Sequence, residues 1–248
     1  SMSNFDFPTD KFSYHNIGAG QYLGEGRASM SSNKWESRLL GYFFRINYNY
    51  QRRYIIMASI RREGSSKFGA DHKWGNFPAI SAGWNIKNES FLENVDLVNT
   101  LRFRIGYGVT GTEPGSPYMS MSRLSYGARA LIDGEWIPTL GPTSNPNPDL
   151  RWEKKAELNL GLDYGILNNR IFGSMDIYER TTRDLIWQYN VPRPPYLFNS
   201  IVANAGSIEN KGIELNLNFV PVQTPNFTWT STINYSTNSN RVISLSSD

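Results

Sequence analysis

The chain has 248 residues, with 25 Lys and Arg against 22 Asp and Glu, so its net charge is +3. These basic residues form no cluster, which excludes the electrostatic footprint of a nucleic-acid-binding protein. The 14% of aromatic residues excludes a disordered chain, and the absence of cysteine excludes disulfides, thiol nucleophiles and cysteine-ligated zinc. No apolar run is long enough for a transmembrane helix.

Apolar and polar residues alternate along most of the chain, and this period of two predicts β-strands. In the first strand, from Leu40 to Tyr50, Leu, Tyr, Phe and Ile occupy every second position, with Gly, Arg and Asn between them. The fold class is therefore all-β, an antiparallel meander of about eight strands of roughly 9–11 residues, longer than most globular strands. The later strands are predicted at 54–61, 80–87, 101–109, 156–164, 171–178, 213–219 and 227–235.

The two alternating sets of residues differ in a way that is typical of a transmembrane β-barrel. The apolar set ends in aromatic residues such as Tyr48, Tyr107 and Trp229, as at the edges of a lipid-facing band. The polar set carries Arg, Asn, Glu, Asp and Gly, which suit a water-filled lumen. A soluble β-sandwich, whose apolar set would face a second sheet, remains open as an alternative.

The predicted connections alternate between short turns and long loops, as in an outer-membrane barrel. Tight turns are expected at 51–53 and around Asn168 and Asn169, and one helical turn at 91–93. The long loops are Arg62–Phe77, Thr110–Glu153 and Glu179–Lys211, of which the second has roughly forty residues rich in Pro, Gly and Ser. A structureless loop of that length argues against a compact soluble domain.

Several segments resemble the SusC/RagA family of TonB-linked outer-membrane nutrient importers of Bacteroidetes-type bacteria. The resemblance covers about four-fifths of the chain, in order, and rests on RRYIIMASIRREGSSKFG (52–69), WGNFPAISAGWNI (74–86), FLENVDLVNTLRFRIGYGVTGT (91–112), NPNPDLRWEKKAELNLGLDYGILNNRIFGSMDIYERTTRDLI (145–186) and NAGSIENKGIELNLNF (204–219).

The resemblance implies a large plugged barrel of about 22 strands, a size at which lumens are plugged. Such proteins import oligosaccharides or peptides with a SusD-like surface lipoprotein, using energy delivered by TonB. Residues 1–248 would then be part of the C-terminal half of that barrel, without the plug that contacts TonB, the first strands or the last strands. Residues 1–2 are expected to be a tag remnant. The implied location is the bacterial outer membrane, in contact with its lipid.

Aromatic residues in the long loops are the predicted substrate contacts, because sugar rings and peptide side chains pack on aromatic faces. These candidates are Tyr118, Trp136, Trp187, Tyr189 and Tyr196. Packing within the loops, or against the lipoprotein, is the alternative role. Arg102 and Arg104 are also candidates, as a path that attracts anionic groups. The alternative for them, and for Arg45 and Arg61, is pairing across strands with Glu157, Asp163 or Glu214.

No catalytic residue, metal site or cofactor is predicted. Gly106, Gly108 and Gly111 fit the glycine pattern of a dinucleotide site, but the sequence after them cannot begin the required helix. The two histidines, His15 and His72, lie in separate loops. The enzyme hypothesis is therefore rejected, and a soluble glycan-binding or surface-scaffold β-domain is the second functional hypothesis. An isolated eight-stranded sheet would have two open edges, so self-association of the chain is expected.

Overall fold

The structure, a computed structural model, describes residues 34–245 continuously and, before them, residues 2–3, 6–7, 20–23, 25–26 and 29–30. Ser1 and His15 lie outside the described residues. The chain divides into two units, Ser1–Glu36 and Ser37–Asp248. In the described residues of the first unit, two short strands pair antiparallel and a 3₁₀ turn spans Gln21–Leu23.

The two strands of the first unit are β1 (Met2–Ser3) and β2 (Ser29–Met30). The described part of the second unit consists mainly of β-strands. In chain order its elements are β3 (Leu39–Tyr50), β4 (Tyr54–Ser65), β5 (Trp74–Asn85), α1 (Ser90–Glu93), β6 (Val98–Thr112), β7 (Leu124–Ile132), β8 (Glu135–Pro142), β9 (Glu153–Ile166), β10 (Ile171–Arg183), β11 (Ile186–Asn190), β12 (Ser200–Asn204), β13 (Ser207–Gln223) and β14 (Thr228–Ser244). A 3₁₀ turn at Ile86–Asn88 precedes α1. Among the described residues, no helix has the length and apolar character needed to cross a membrane.

Eight long strands form one antiparallel sheet in the order β14-β13-β10-β9-β6-β5-β4-β3. Each strand pairs with the next long strand along the chain, so the predicted meander is confirmed. All eight predicted strands are present, and they contain 12 to 17 residues, more than expected. Both sheet edges, β3 and β14, are unpaired within the described part of the chain.

The register places the apolar set of every strand on one side of the sheet, which we call the apolar face. One row across the central strands consists of Ala82, Ile105, Leu160, Ile177 and Ile213. Ile105 and Ile177 are 41% and 43% exposed, because no second sheet covers this side in the described residues. A soluble sandwich would bury these residues. The opposite side, which we call the polar face, carries the alternating polar set.

The short connections and the long loops lie at opposite ends of the strands, which we call the turn end and the loop end. At the turn end, Gln51 and Arg52 are the central residues of the tight turn at 51–53, and their φ of 50° and 56° is left-handed backbone. Asn168 and Asn169 adopt the same conformation in the next predicted turn, and α1 contains the predicted helical turn. All three predictions for the turn end are confirmed.

The long loops contain more structure than the sequence predicted. Strand β4 continues to Ser65 and β5 begins at Trp74, so much of the predicted 62–77 loop is strand. The 110–153 segment holds the hairpin β7–β8, and the 179–211 segment holds the hairpin β11–β12. The expectation of a structureless 110–153 loop is therefore wrong, and all three loops are shorter than predicted because backbone pairing continues beyond the end of the alternating apolar pattern.

Candidate functional site

A network of charges crosses the polar face at the centre of the sheet. The Arg104 guanidinium donates to both carboxylate oxygens of Asp163, at 3.0 and 2.9 Å, and to Asp176 at 3.1 and 3.2 Å. Gly161 lies between Arg104 and Asp176 in the register, and a Cβ there would lie 2.6 Å from both side chains. Glycine at this position is what allows the arginine to reach across two strands.

The predicted pairing of polar-face arginines is confirmed for Arg104 and differs for the others. Arg61 pairs with Glu63 at 3.2 Å along its own strand, and Arg102 donates to Asn85 at 2.6 Å. Arg45 lies 5.0 Å from the centre of the Phe43 ring. The expected partner Glu157 instead accepts from Arg180 at 2.7 Å.

Small residues of β5 and β6 leave room on the polar face beside this network. Ser81 pairs with Gly106, and Ala79 pairs with Gly108. Two depressions of about 310 and 290 Å³ lie over these residues, and Arg102 and Arg104 line the first. The three glycines that fit the dinucleotide pattern therefore lie within β6, which continues to Thr112.

At the loop end, four buried side chains form what we call the loop-base cluster: Phe68, Phe77, Leu150 and Trp152. Trp152 packs on Phe68 and Phe77 with ring centres 4.7 and 5.2 Å apart, and its indole N–H donates to the Lys73 carbonyl at 2.9 Å. Ile186 and Val202 of the β11–β12 hairpin pack against it. The cluster thus joins the connections that follow β4, β6 and β10.

Asparagine side chains also hold the connections at the loop end together, because their hydrogen bonds replace those of a β-ladder. Pro146 and Pro148 have no N–H, so the segment 145–148 cannot pair as an ordinary strand. Instead, the Asn145 amide donates to the Phe198 and Ser200 carbonyls at 2.7 and 2.9 Å. Its carbonyl oxygen accepts from the backbone N–H of Leu197 and Phe198, each at 3.1 Å.

Two more asparagines extend the same pattern toward β9. The Asn147 amide donates to the Val202 carbonyl at 2.9 Å. The Asn204 side chain accepts from the backbone N–H of Arg151 at 2.8 Å and donates to the Arg151 carbonyl at 2.6 Å. The Arg151 guanidinium then binds Asp184 at 2.7 Å. The β11–β12 hairpin is consequently fixed to the loop base rather than free.

An ion pair closes the loop base beside β4. Lys67 donates to Glu113 at 2.6 Å, and the Ser65 hydroxyl donates to the same carboxylate at 2.7 Å. Burial favours the neutral carboxyl, but the hydrogen bonds from Lys67 and Ser65 prevail and lower the pKa of Glu113 below its ordinary value of 4.5. Glu113 is thus ionised at neutral pH and ties the start of the long 113–152 connection to β4.

At the turn end, the carboxylate of Glu89 holds neighbouring side chains together, as Glu113 does at the loop end. It accepts hydrogen bonds from the Trp84 indole at 2.9 Å and the Tyr54 hydroxyl at 2.7 Å, and Arg53 lies 3.5 Å away. The hydrogen bonds from Trp84 and Tyr54 lower the pKa of Glu89. The two rings stack with centres 6.5 Å apart at the edge of the apolar face, where a barrel has its aromatic girdle.

The five predicted loop aromatics differ in exposure and surroundings. Trp136, near the tip of β7–β8, is 63% exposed, and Trp187 on β11 is 71% exposed. Tyr189 lies on the same side of β11 as Trp187, but its hydroxyl donates to the Ala205 carbonyl at 2.5 Å. Burial raises the pKa of Tyr189. Tyr118 and Tyr196 are each 40% exposed; Tyr118 precedes the β7–β8 hairpin, and Tyr196 lies in the loop that joins β11 to β12.

The predicted arginines and aromatics do not form one site. Strand β6 continues from Arg104 to Thr112, roughly 26 Å at 3.3 Å per residue, before the loop end begins. Arg102 and Arg104 therefore lie deep on the polar face, toward the turn end, whereas the aromatics all lie beyond the loop end. The sequence pattern did not identify the role of Asn145, Asn147 and Asn204, although the Asn-Pro-Asn-Pro repeat was a visible signal.

The described residues thus form one sheet with an exposed apolar face, a charged polar face and structured loops at one end. Comparison with known proteins shows which family has this sequence. The sequence profile of the family described as "TonB dependent receptor-like, beta-barrel" matches residues 2–247. The "TonB-dependent receptor SusC" of Bacteroides thetaiotaomicron is 36% identical over 210 residues, covering 84% of this chain and 21% of that protein. The "TonB-dependent receptor P39" of Formosa agariphila is 39% identical over 207 residues, covering 83% of this chain and 19% of that protein.

Solved structures of other proteins also match the fold of this chain. The RagAB peptide importer in its "open-open" state superimposes with a TM-score of 0.77 at 28% identity, covering 84% of this chain and 22% of that chain. The siderophore receptor PirA from Pseudomonas aeruginosa shares the fold, with a TM-score of 0.53 at 14% identity. The chain spans about a fifth of the length of the curated relatives that it matches. It belongs to the TonB-dependent receptor-like β-barrel family of the outer membrane.

Proposed function

We propose that the chain is a wall segment of an outer-membrane active importer of oligosaccharides or peptides, which works with a SusD-like lipoprotein and with TonB. The observation that carries the proposal is the single eight-stranded sheet with its apolar row exposed on one side and its ion-pair network on the other. In a barrel these two sides face lipid and lumen, respectively. The energy for import would reach the protein through a plug encoded outside this chain.

The polar face would line the import path. Arg104 is already neutralised by Asp163 and Asp176, so it shapes the wall rather than attracting a distant anion. Arg102 has one neutral partner, Asn85, and borders the depression over Gly106, which makes it the better candidate for a contact with a passing substrate. The exposed rings of Trp136 and Trp187 would contact substrate, or the lipoprotein, before entry.

The β7–β8 hairpin is the stronger candidate for contact with the lipoprotein. A lone two-stranded hairpin is marginally stable in water. Leu124, Leu131, Trp136 and Leu140 on this hairpin are all more than half exposed. A partner surface that covers them would stabilise the hairpin and form a largely apolar contact.

Deleting residues 124–142 from the longer protein that carries this chain should weaken its co-purification with the lipoprotein. The hairpin pairs only with itself among the described strands, so its removal leaves the barrel sheet intact. A second variant replaces Trp136 and Leu131, at the hairpin tip, with serine and keeps the backbone, and it should also weaken co-purification. Co-purification that is unchanged by both the deletion and the double substitution would refute the docking role.

The chain expressed alone should self-associate. Strands β3 and β14 expose unpaired N–H and C=O groups along 12 and 17 residues, and such edges pair with other chains. Size-exclusion chromatography with light scattering, in detergent, should therefore give a dimer or a larger assembly. A monomer at all concentrations would contradict this expectation.

A further inference from the structure

At the loop end of β3, β4 and β5, the apolar face ends in a cation without a described counter-ion. Arg62 lies in the outward row Tyr42–Arg62–Asn76, directly beyond the apolar row Phe44–Ile60–Pro78. Its guanidinium lies 5.2 Å from the centre of the Trp74 ring. No carboxylate among the described residues lies within salt-bridge distance of Arg62.

The ring beneath this arginine is held in place from two sides. Trp74 lies flat over Gly64, where an added Cβ would be 2.9 Å from the indole. The Tyr42 ring stacks on it at 6.1 Å with an angle of 16° between the planes. The guanidinium therefore rests on a preformed aromatic surface, an arrangement that strengthens when water is excluded.

A groove adjoins this surface and combines apolar and basic groups. It has a volume of about 650 Å³ and is lined by Ser37, Arg38, Leu39, Leu40, Gly64, Ser65, Ser66, Lys73 and Trp74. The Leu40 side chain, like Trp74, continues the apolar face. Lys73 is exposed and, like Arg62, has no carboxylate partner among residues 34–245. The groove thus offers an apolar floor and positive charge at one level of the wall.

Another outward-facing cation near the loop end is neutralised within the protein. Lys211, in β13, lies 3.3 Å from both Glu179 and Glu209. A charge at the hydrocarbon boundary is costly unless it is paired or reaches an interface. Arg62 lacks the internal anions that Lys211 has, so an external anion would neutralise it.

We propose that the surface formed by Arg62 and Trp74 binds the phosphate group of a lipid headgroup in the outer leaflet. A lipid fits better than free phosphate, because the apolar floor continues into the band that contacts acyl chains. The guanidinium would bind the phosphate oxygens in two parallel hydrogen bonds. Trp74 and Tyr42 would pack against the upper part of the acyl chains.

The test uses the longer protein that carries this chain, purified in a neutral detergent and titrated with monophosphorylated lipid A, with bound lipid counted by native mass spectrometry. Arg62→Gln should weaken lipid retention about fivefold, since a basic residue near an anionic surface contributes about 1 kcal/mol. The matched control is Arg61→Gln, which removes the same charge one residue away on the polar face, where Arg61 pairs with Glu63.

A second variant disturbs the aromatic surface beneath Arg62 and keeps the charge of Arg62. Gly64→Ala places a methyl group against the indole, so it should displace Trp74 and weaken lipid retention while the net charge is unchanged. Circular dichroism and the heat-dependent gel shift of each variant show that the barrel has folded. Equal losses in Arg61→Gln and Arg62→Gln, or no loss in Arg62→Gln, would overturn the proposal. So would displacement of the lipid by millimolar inorganic phosphate, which would indicate a site for the free ion.

Discussion

Replacing Leu150 with alanine should destabilise the loop end by about 3 kcal/mol, within the range measured for buried leucines. Leu150 is completely buried between Phe68 and Trp152, and its carbonyl accepts from the Gly69 N–H at 3.1 Å. The cavity would therefore open where the connections after β4 and β6 meet. Hydrogen exchange followed by mass spectrometry on the longer protein should show faster exchange in residues 66–73 and 145–152.

The effect should extend to the β11–β12 hairpin, because that hairpin is attached through Asn145, Asn147 and Asn204. Loss of Leu150 loosens the segment that carries the first two of these asparagines, so residues 197–204 should also exchange faster. The matched control is Leu131→Ala, at a leucine that is 58% exposed, where a change below about 0.5 kcal/mol is expected. Exchange that is unchanged at 197–204 would show that the hairpin is held by other contacts.

The period of two was sufficient to predict the sheet because lipid and lumen impose opposite polarities on the two sides of each strand. The rule weakens at the loop end, where both sides of the strand meet water. On β10 and β13 the outward row becomes Glu179 and Lys211, although pairing continues to Arg183 and Ser207. Strand ends defined by alternation were therefore too short, and the predicted loops were too long.

The β7–β8 hairpin, in the longest connection, could have been predicted from its turn residues, although the alternation of apolar residues did not indicate it. Asp133-Gly134 is a hairpin dipeptide, and both residues adopt the left-handed backbone, with φ of 53° and 84°. The asparagine contacts at 145, 147 and 204 could not be predicted in the same way. Each joins segments more than fifty residues apart, and composition does not reveal which carbonyl an amide will meet.

The position of a residue along the barrel axis was equally hidden from the sequence. Their chemistry makes both Arg102 and Trp187 predicted substrate contacts, but the distance between them depends on where each strand begins and ends. The structure separates them into a wall group and a loop group. The two groups therefore do not form a single pocket.

Replacing Ile105 with arginine, in the membrane-embedded part of the wall, should lower the free energy of unfolding substantially. Ile105 is 41% exposed at the middle of the apolar row of β6, between Ala82 and Leu160. Arginine on the lipid side of a barrel costs about 2–4 kcal/mol near the bilayer midplane. Urea titration of the longer protein folded into phosphatidylcholine vesicles should show this loss for Ile105→Arg.

The control places the same side chain on the other face. Asn159 pairs with Gly106 in the polar row, beside the two depressions, so Asn159→Arg has space and polar neighbours. Its cost should stay within about 1 kcal/mol, because lumen substitutions change selectivity more than stability. Equal costs at the two positions would contradict the assignment of lipid and lumen to the two faces. A cost at Ile105 that persists in detergent-free buffer, with the protein monodisperse, would instead indicate a soluble sheet whose apolar face is covered by protein.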